Sequence, residues 1–242
     1  MGTPPIRTIA VIQARLGSTR LPRKVLAKVC GKTLIQHLIE RVGLARTLDG
    51  VVVATCDQEI IDACGTTAFL GDEQNVLGRY LEAARVFAAD AVVRLTADNP
   101  LVCPTVIDGT VRYFHERSGA DHVCADPIVN GSEVEVISSA ALVRCGREAK
   151  LPRDREHVTS YMREHPDRFR LETWAPPKEL QRPDVVVGVD TAQDLARLRW
   201  IGDGVASAGT FPSLTEIVRW LDVQSAGADP GGKRASGARF EE

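Results

Sequence analysis

The sequence lacks the features that define several large classes of protein. Its six cysteines include no C-x-x-C pair, which argues against both a zinc site and a disulfide framework. No apolar run approaches the ~18 residues that span a bilayer, and the opening Met-Gly-Thr-Pro-Pro lacks the layout of a secretory signal. There is no basic excess either, with 30 Lys plus Arg against 32 Asp plus Glu. We therefore expect a cytoplasmic protein that binds neither membranes nor nucleic acid.

The residues that are present predict an α/β fold. Hydrophobic residues make up 44% of the 242 residues, enough for a sizeable core. Short β-favouring runs predict buried parallel strands at 6–14, 50–54, 91–95 and 185–189. Helical patterns begin at a capping box formed by Thr33 and Gln36 and recur at 76–88, 105–116, 140–147, 156–164, 192–200 and 214–223. This alternation is typical of a mostly parallel, doubly wound sheet with helices on both faces.

Two segments depart from that alternation. Residues 132–138 alternate polar and apolar side chains as a half-exposed strand does, which predicts a small antiparallel excursion within an arm or lid at about 121–138. This half-exposed strand is also one of two reasons to expect a homodimer, the other being the family resemblance described below. Residues 225–242 are rich in Gly, Ala, Ser and charge. We predict one domain over 1–224 followed by a disordered tail.

A basic loop follows the first predicted strand. The first acidic residue of the chain is Glu40, and six cations precede it in the stretch that begins after the strand: Arg15, Arg20, Arg23, Lys24, Lys28 and Lys32. The backbone amides of Gly17 and Ser18 would let phosphate oxygens approach closely. Ligands bind at the carboxyl ends of strands in open α/β sheets, so this loop predicts an anion site. A solvated basic loop is the alternative interpretation.

The common nucleotide loops do not match this segment. A Walker A loop that ends in Gly31-Lys32-Thr33 needs glycine at position 26, which is Leu26. A dinucleotide fingerprint needs three spaced glycines directly after the strand, and the stretch contains Gly17 alone. NAD and FAD are therefore not expected.

Two aspartates follow predicted strands. Asp98 comes directly after the strand at 91–95, and Asp190 follows the strand at 185–189. The carboxyl ends of parallel strands share one edge of a sheet, so both carboxylates could converge beside a bound phosphate and hold Mg²⁺. The alternative for the second segment is that Asp190 or Thr191 simply caps the helix that follows.

Together these segments resemble a known family. The stretch Ile12 to Leu26 (I-Q-A-R-L-G-S-T-R-L-P-R-K-V-L) is similar to the nucleotide-binding opening of the cytidylyltransferases of the spore-coat polysaccharide biosynthesis type. These are relatives of the acylneuraminate and 3-deoxy-manno-octulosonate cytidylyltransferases. Six further motifs occur in the family's order, at 51–55, 75–80, 93–101, 133–136, 155–159 and 189–191. The resemblance covers about residues 6 to 202.

The resemblance implies a glycosyltransferase-A-like nucleotidyltransferase that activates an acidic sugar or a related acid with CTP. It implies Mg²⁺ as the cofactor, with Asp98 and Asp190 as its ligands, and catalytic roles for Arg15, Lys24, Asp98 and Asp190. The implied nucleotide-binding residues are Ala14, Arg15, Gly17, Ser18, Arg20, Lys24, Arg79 and Asp98. These roles are chemically consistent, because phosphoryl transfer depends mainly on positioning and charge neutralisation.

The residues expected to bind the acceptor match the family's motifs less closely. We expect substrate contacts by Glu135 and by the cluster after the helix at 140–147, where Arg153, Arg155 and His157, with Glu156 beside them, would form the acceptor pocket. The alternative is that this cluster is a charged helix start with an exposed His157. An arginine can bind a carboxylate with two hydrogen bonds, and a histidine can orient or deprotonate the attacking hydroxyl. The chain has Ala97-Asp98-Asn99-Pro100 where the family often has Gly-Asp-Cys-Pro, and Ser132 to Glu135 where it usually has Leu-Asp-Val-Glu. An altered acceptor, such as a phosphonate or another small phosphate-bearing acid, is therefore an alternative.

Two further hypotheses compete with a cytidylyltransferase. A sugar-transferring enzyme of the same fold commonly uses a D-x-D metal motif, and the sequence contains none. A catalytically silent nucleotide-binding protein would have no need for the paired carboxylates Asp98 and Asp190. We expect the chain to be an enzyme on these grounds.

Overall fold

Strand β1 (Thr8–Ala14) lies at the centre of a seven-stranded sheet in the computed structural model, which describes residues 6–227. Six of its seven residues are buried, as its continuous apolar sequence predicts. β1 pairs in parallel with β4 (Gly50–Thr55) on one side and with β6 (Ala91–Thr96) on the other. These three strands form the base of the site.

The remaining strands extend the sheet in both directions in the order β5-β4-β1-β6-β8-β7-β9. Their bounds are Ala68–Leu70 for β5, His122–Ala125 for β7, Glu135–Ser138 for β8 and Leu171–Trp174 for β9. Only β8 runs antiparallel to its neighbours β6 and β7 among these described strands. A separate two-stranded hairpin joins β2 (Lys28–Val29) to β3 (Lys32–Thr33). The predicted mostly parallel α/β fold is confirmed.

Helices cover both faces of the sheet. In chain order they are α1 (Leu34–Val42), α2 (Gln58–Cys64), α3 (Val76–Val86), α4 (Pro104–Glu116), α5 (Ser139–Glu148), α6 (Pro152–Glu156), α7 (Ser160–Glu164), α8 (Ala192–Val205) and α9 (Leu214–Gly227). Thr33 and Gln36 form the predicted capping box at the start of α1. The single helix predicted at 156–164 is two short helices, because the chain turns away from helical geometry at residues 157–159.

Alternate side chains of β1 belong to two separate cores. Ala10 and Ile12 pack in the core that includes apolar residues of α1, α4, α8 and α9. Ile9 and Val11 pack on the other face with residues of α3, α5 and α7. The period of two along the strand therefore buries both faces of the sheet, which leaves its carboxyl edge as the place for a ligand.

The prediction of a strand at 185–189 is wrong. Val185, Val187 and Val189 are buried, but the segment makes one isolated parallel bridge, between Val186 and Asn130. The pairing ends at Asn130 because the next residue, Gly131, turns the chain with a φ of +88°. The alternation of apolar residues at 185–189 therefore predicts burial correctly, although the segment does not pair as a strand.

The arm or lid predicted at about 121–138 is also corrected. The antiparallel direction holds for β8, but β8 lies inside the sheet between β6 and β7, and three of its four residues are buried. Its polar residue Glu135 is paired with Arg94 and His122 rather than with solvent. The expected homodimer loses the half-exposed strand that motivated it and stays a prediction.

The tail predicted at 225–242 falls mostly outside the described residues. Residues 225–227 continue helix α9, and residues 228–242 lie beyond the part of the chain that the structure describes. Among the described helices, none combines the length and the apolar character that crossing a membrane requires.

Candidate active site

The basic loop between β1 and Lys24 is shaped by its own backbone. The carbonyl oxygen of Leu16 accepts hydrogen bonds from the amides of Ser18 (2.8 Å) and Arg23 (3.0 Å), and the Leu16 amide donates to Asp57 Oδ2 (2.8 Å). Arg23 adopts a left-handed conformation with φ of 60°, which is costly for a residue with a side chain. This turn directs the next residue, Lys24, towards the sheet edge.

Lys24 joins the two predicted metal ligands. Its Nζ lies 2.7 Å from Asp98 Oδ2 and 2.8 Å from Asp190 Oδ1, and only 10% of its side chain is exposed. Arg20 also contacts Asp190, with 3.0 Å between Nη2 and Oδ1. Four of the predicted site residues therefore meet in one ionic cluster of two carboxylates and two cations.

One backbone hydrogen bond brings Asp98 and Asp190 together. The amide of Val189 donates to the carbonyl oxygen of Asp98 at 3.0 Å, which ties the two segments together. The helix cap that follows Asp190 is made by Thr191 and Asp194, which form a capping box at the start of α8. The capping alternative therefore applies to Thr191, and the carboxylate of Asp190 remains in the site.

A cavity of about 290 Å³ opens beside this cluster. Ten of the predicted site residues line it: Ala14, Arg15, Gly17, Ser18, Arg20, Lys24, Arg79, Asp98, His157 and Asp190. Its other lining residues include Gln13 and Thr96, whose strands β1 and β6 supply the floor, and Glu156. We call this the first cavity. It brings the basic loop and both carboxylates to one space at the carboxyl edge of the sheet.

Arg79 is buried in the wall of the first cavity with part of its hydrogen-bonding capacity unused. The residue is 3% exposed and lies on α3. Its Nε and Nη1 have no hydrogen-bond partner among the described residues. A buried donor without a partner costs about 1–3 kcal/mol or more when charged, so such a group indicates a ligand that completes its bonds.

Glu156 and His157 line the first cavity, whereas their neighbours do not. Glu156 Oε1 accepts a hydrogen bond from Arg15 Nη2 at 3.0 Å. Arg153 instead pairs with Glu164 at 2.7 Å, and Arg155 points its Nη1 at Asn75 Oδ1 at 3.5 Å. Arg153 and Arg155 therefore line neither the first cavity nor the second one described below, and their role in an acceptor pocket stays a prediction.

Glu135, predicted as a substrate contact, is an internal residue. It is 4% exposed and its carboxylate contacts Arg94 Nη1 (2.7 Å), His122 Nε2 (3.3 Å) and Arg163. Burial opposes its ionisation, but the hydrogen bond from His122 and the charges of Arg94, His122 and Arg163 hold the pKa of Glu135 below its ordinary value. Glu135 lines neither cavity, because this part of β8 lies inside the sheet among these partners, and its substrate contact stays a prediction.

A second cavity of about 280 Å³ lies on the other side of the two aspartates. It shares Thr96, Asp98 and Asp190 with the first cavity. Its remaining lining residues are Asn99, Asn130, Gly131, Glu133, Val186, Gly188, Val189 and Asp194. Lys and Arg are absent from this lining, so the two cavities differ in charge while they meet at Asp98 and Asp190.

The side chains of the second cavity are arranged for hydrogen bonding. Glu133 Oε2 accepts from Asn99 Nδ2 at 2.9 Å, and Glu133 Oε1 accepts from the Gly131 amide at 2.9 Å. Each carboxylate oxygen has a second lone pair that can accept from a ligand. The residues Asn99 and Glu133 stand where the sequence departs from the family pattern, and that departure was the one available signal for this cavity.

The donors at the junction of the cavities fit a hard divalent cation that binds together with substrate. The described residues contain no cluster of three or more His, Cys, Asp or Glu side chains that could hold a metal alone. Asp98 and Asp190 supply two carboxylates on either side of one ammonium group. Mg²⁺ in nucleotide enzymes commonly takes one or two carboxylates, substrate phosphate and water, so two protein ligands suit it.

The chain is similar over most of its length to proteins of one family. The family model described as cytidylyltransferase matches residues 9–195. An uncharacterized protein of Methanocaldococcus jannaschii is 36% identical over 196 residues, 78% of this chain and 80% of that protein. The spore coat polysaccharide biosynthesis protein SpsF of Bacillus subtilis is 31% identical over 227 residues, covering 88% and 92%. A 3-deoxy-manno-octulosonate cytidylyltransferase of Chlamydia trachomatis is 34% identical over 151 residues, 57% of each chain.

Solved structures agree on the fold. A cytidylyltransferase from Leptospira borgpetersenii superposes with a TM-score of 0.83 at 24% identity, covering 95% of this chain and 99% of that one. A CMP:2-keto-3-deoxy-manno-octonic acid synthetase complexed with CTP superposes with a TM-score of 0.66 at 19% identity, covering 82% and 99%. Likenesses at these identities establish the fold alone.

Proposed function

Because this chain belongs to the cytidylyltransferase family, and is therefore a nucleotidyltransferase enzyme, we propose that it transfers the cytidylyl group of CTP to an acidic sugar or a related acid and releases pyrophosphate. The observation that carries this proposal is the placement of Asp98 and Asp190 between two cavities of different charge. The cation-lined first cavity suits a triphosphate, and the second suits a hydroxyl-rich acceptor.

The first cavity supports binding of CTP. Arg15, Arg20 and Lys24 supply positive charge for the triphosphate, and the loop that carries Gly17 and Ser18 brings backbone close to it. The free Nε and Nη1 donors of Arg79 match the O2 and N3 acceptors of cytosine, which lie side by side on the ring. Arg79 thus gives a physical reason for a pyrimidine base with two adjacent acceptors.

The second cavity supports binding of the acceptor. Asn99, Asn130 and Glu133 offer amide and carboxylate groups that hydrogen-bond to sugar hydroxyls. The acidic group of the acceptor belongs at the edge of the junction nearest Arg20, because Lys and Arg are absent from the lining of the second cavity. The relatives include a 3-deoxy-manno-octulosonate cytidylyltransferase, whose name indicates an acceptor of this kind.

The metal proposed for the site is Mg²⁺, with Asp98 and Asp190 as its protein ligands. When bound, it supplies neutralisation of the charge that develops on the phosphates. Rv0371c of Mycobacterium tuberculosis in complex with manganese has a similar fold, with a TM-score of 0.57 at 16% identity, and that likeness extends to the fold alone.

The reaction itself needs positioning more than covalent help. An acceptor oxygen held in the second cavity attacks the α-phosphorus of CTP in line with the bond to the β-phosphate. The new oxygen–phosphorus bond forms as the bond to the leaving oxygen breaks, and pyrophosphate departs with that electron pair. The hydroxyl proton passes to solvent, to which exposed Asn130 and Glu133 open the second cavity. Arg15, Arg20 and Lys24 stabilise the charge on the triphosphate throughout.

Pyrophosphate release tests this proposal. The full chain is incubated with Mg²⁺ and each of CTP, UTP, ATP and GTP, against 2-keto sugar acids, sugar phosphates and small phosphonates. We expect release that requires CTP and a 2-keto sugar acid. Release with a phosphonate alone would move the acceptor to that class. Thermal stabilisation by CTP without release from any acceptor would favour a silent binding protein and contradict the proposal.

A further inference from the structure

The ammonium group of Lys24 occupies the point at which the two aspartates of the junction meet. It contacts Asp98 Oδ2 and Asp190 Oδ1 at nearly equal distances, 2.7 and 2.8 Å. At 10% exposure its side chain is much less accessible than that of Arg20, which is 65% exposed. Lys24 is therefore the cation that holds the two carboxylates together.

The same carboxylate oxygens are the ligands proposed for a divalent cation. An ammonium group and a divalent cation between the same pair of carboxylates repel each other strongly, since a partly buried site screens charges weakly. The two carboxylates are balanced by Lys24 and Arg20, so the cluster has no net charge to attract a third cation. Lys24 has to leave before a metal binds tightly.

The fold gives Lys24 a second place to go. Lys24 lines the first cavity, where the triphosphate is proposed to bind. Its flexible four-carbon stem lets the ammonium group swing between acceptor groups without moving the backbone, which a rigid guanidinium fork does less easily. Arg15, which also lines the first cavity, is hydrogen-bonded to Glu156.

We propose that Lys24 is an exchangeable internal counter-ion that makes metal binding depend on nucleotide binding. Without nucleotide it neutralises Asp98 and Asp190 and keeps divalent cations out. With nucleotide it transfers to the triphosphate and frees both carboxylates for the metal. This inference rests on the proposed function for the identity of the nucleotide, and the coupling is reciprocal, because each ligand then strengthens the other.

Binding of Mn²⁺ without nucleotide tests the counter-ion directly. Free Mn²⁺ is followed by electron paramagnetic resonance in titrations of the full-length wild type and of Lys24→Met, which keeps the stem and removes the charge. We expect the variant to bind Mn²⁺ at least about tenfold more tightly than the wild type, since removing Lys24 leaves one unbalanced carboxylate. Lys28→Met is the matched control, because Lys28 is exposed four residues further along the chain, and it should bind as the wild type does.

Two further titrations keep the test decisive. Lys24→Gln, with a neutral amide of similar length, replaces Lys24→Met if that variant does not fold. Adding Asp98→Asn to Lys24→Met should abolish the gained affinity. Unchanged or weaker Mn²⁺ binding in both Lys24 variants, or tight Mn²⁺ binding by the wild type alone, would overturn the counter-ion proposal. Failure of the proposed function is a separate result, seen as the absence of CTP binding by calorimetry, and it leaves the Mn²⁺ comparison valid.

Discussion

The backbone amide of Val189 donates a hydrogen bond to the backbone carbonyl of Asp98 at 3.0 Å, although the two residues lie on opposite sides of β7, β8 and β9 in the sequence. This single bond places the residue after Val189 next to Asp98. Asp190 and Asp98 can then both contact the ammonium group of Lys24. The two aspartates lie where the first cavity meets the second cavity. The proposed site depends on this convergence of Asp98 and Asp190.

Arg79 is predicted to control nucleotide affinity and base choice. Arg79→Met removes the two unpartnered donors while keeping a long apolar stem. We expect CTP to bind roughly 10- to 100-fold more weakly, since losing hydrogen bonds from a buried charged group costs about 1.5–3 kcal/mol. Calorimetric titration with CTP and UTP measures the effect on affinity and on base discrimination.

Arg85 provides the control for that change, because it lies on the same helix, pairs with Glu82 and is 72% exposed. Arg85→Met should bind CTP as the wild type does. Equal CTP affinities for the Arg79 and Arg85 variants would show that Arg79 has a purely structural role.

Gly131 is predicted to hold the second cavity together. A side-chain carbon at Gly131 would lie 2.0 Å from the amide nitrogen of Gly188, and the φ of +88° disfavours alanine as well. Gly131→Ala should lower Tm and reduce acceptor transfer by displacing the segment of Gly188 that leads to Asp190. Gly31→Ala is the matched control, since φ there is +83° with no atom within 4 Å of the added carbon. If both variants lose the same stability, the close approach has no effect beyond the backbone conformation.

Glu135 is predicted to make stability depend on pH. Its pKa is lowered in the folded state, so its contribution is complete above the ordinary carboxyl pKa of about 4.3 and is lost as pH falls through the folded value. Glu135→Gln should cost about 3 kcal/mol of unfolding free energy at pH 7, because Arg94 and His122 lose a buried anionic partner.

The difference between Glu135→Gln and the wild type should shrink as the pH is lowered from 5 to 3. Urea unfolding at pH 7, 5 and 3.5 measures it, with the exposed Glu116→Gln as a control. A difference that stays constant over this range would contradict the lowered pKa.

The sequence predicted the central strands and the nucleotide side of the site because local signals carry them. The continuous apolar run of β1 and the basic loop ending at Lys24 are adjacent in the chain, so their association needs no tertiary information. Asp98 was recognisable for the same reason, since it directly follows β6.

The acceptor side could not be predicted in the same way, because it is built by packing between distant segments. Arg153 and Arg155 are diverted by Glu164 and Asn75, and Glu135 is buried by strand order, which a local pattern does not encode. Residues 185–189 look like a strand because burial selects the same apolar residues with or without a pairing ladder. The second cavity arises only when Asn130 meets Val186 across the fold.

We propose Asp98 and Asp190 as the carboxylates at which cytidylyl transfer occurs. Transfer of label from [α-³²P]CTP to 3-deoxy-manno-octulosonate, or to the acceptor that supports pyrophosphate release, tests it in Asp98→Asn and Asp190→Asn. Asp167→Asn, at an exposed turn before β9, is the control. We expect transfer to be at least about 100-fold slower in both site variants and unchanged in the control. Circular dichroism should show that the variants keep the fold. Transfer at the wild-type rate in either Asp98→Asn or Asp190→Asn would contradict this proposal.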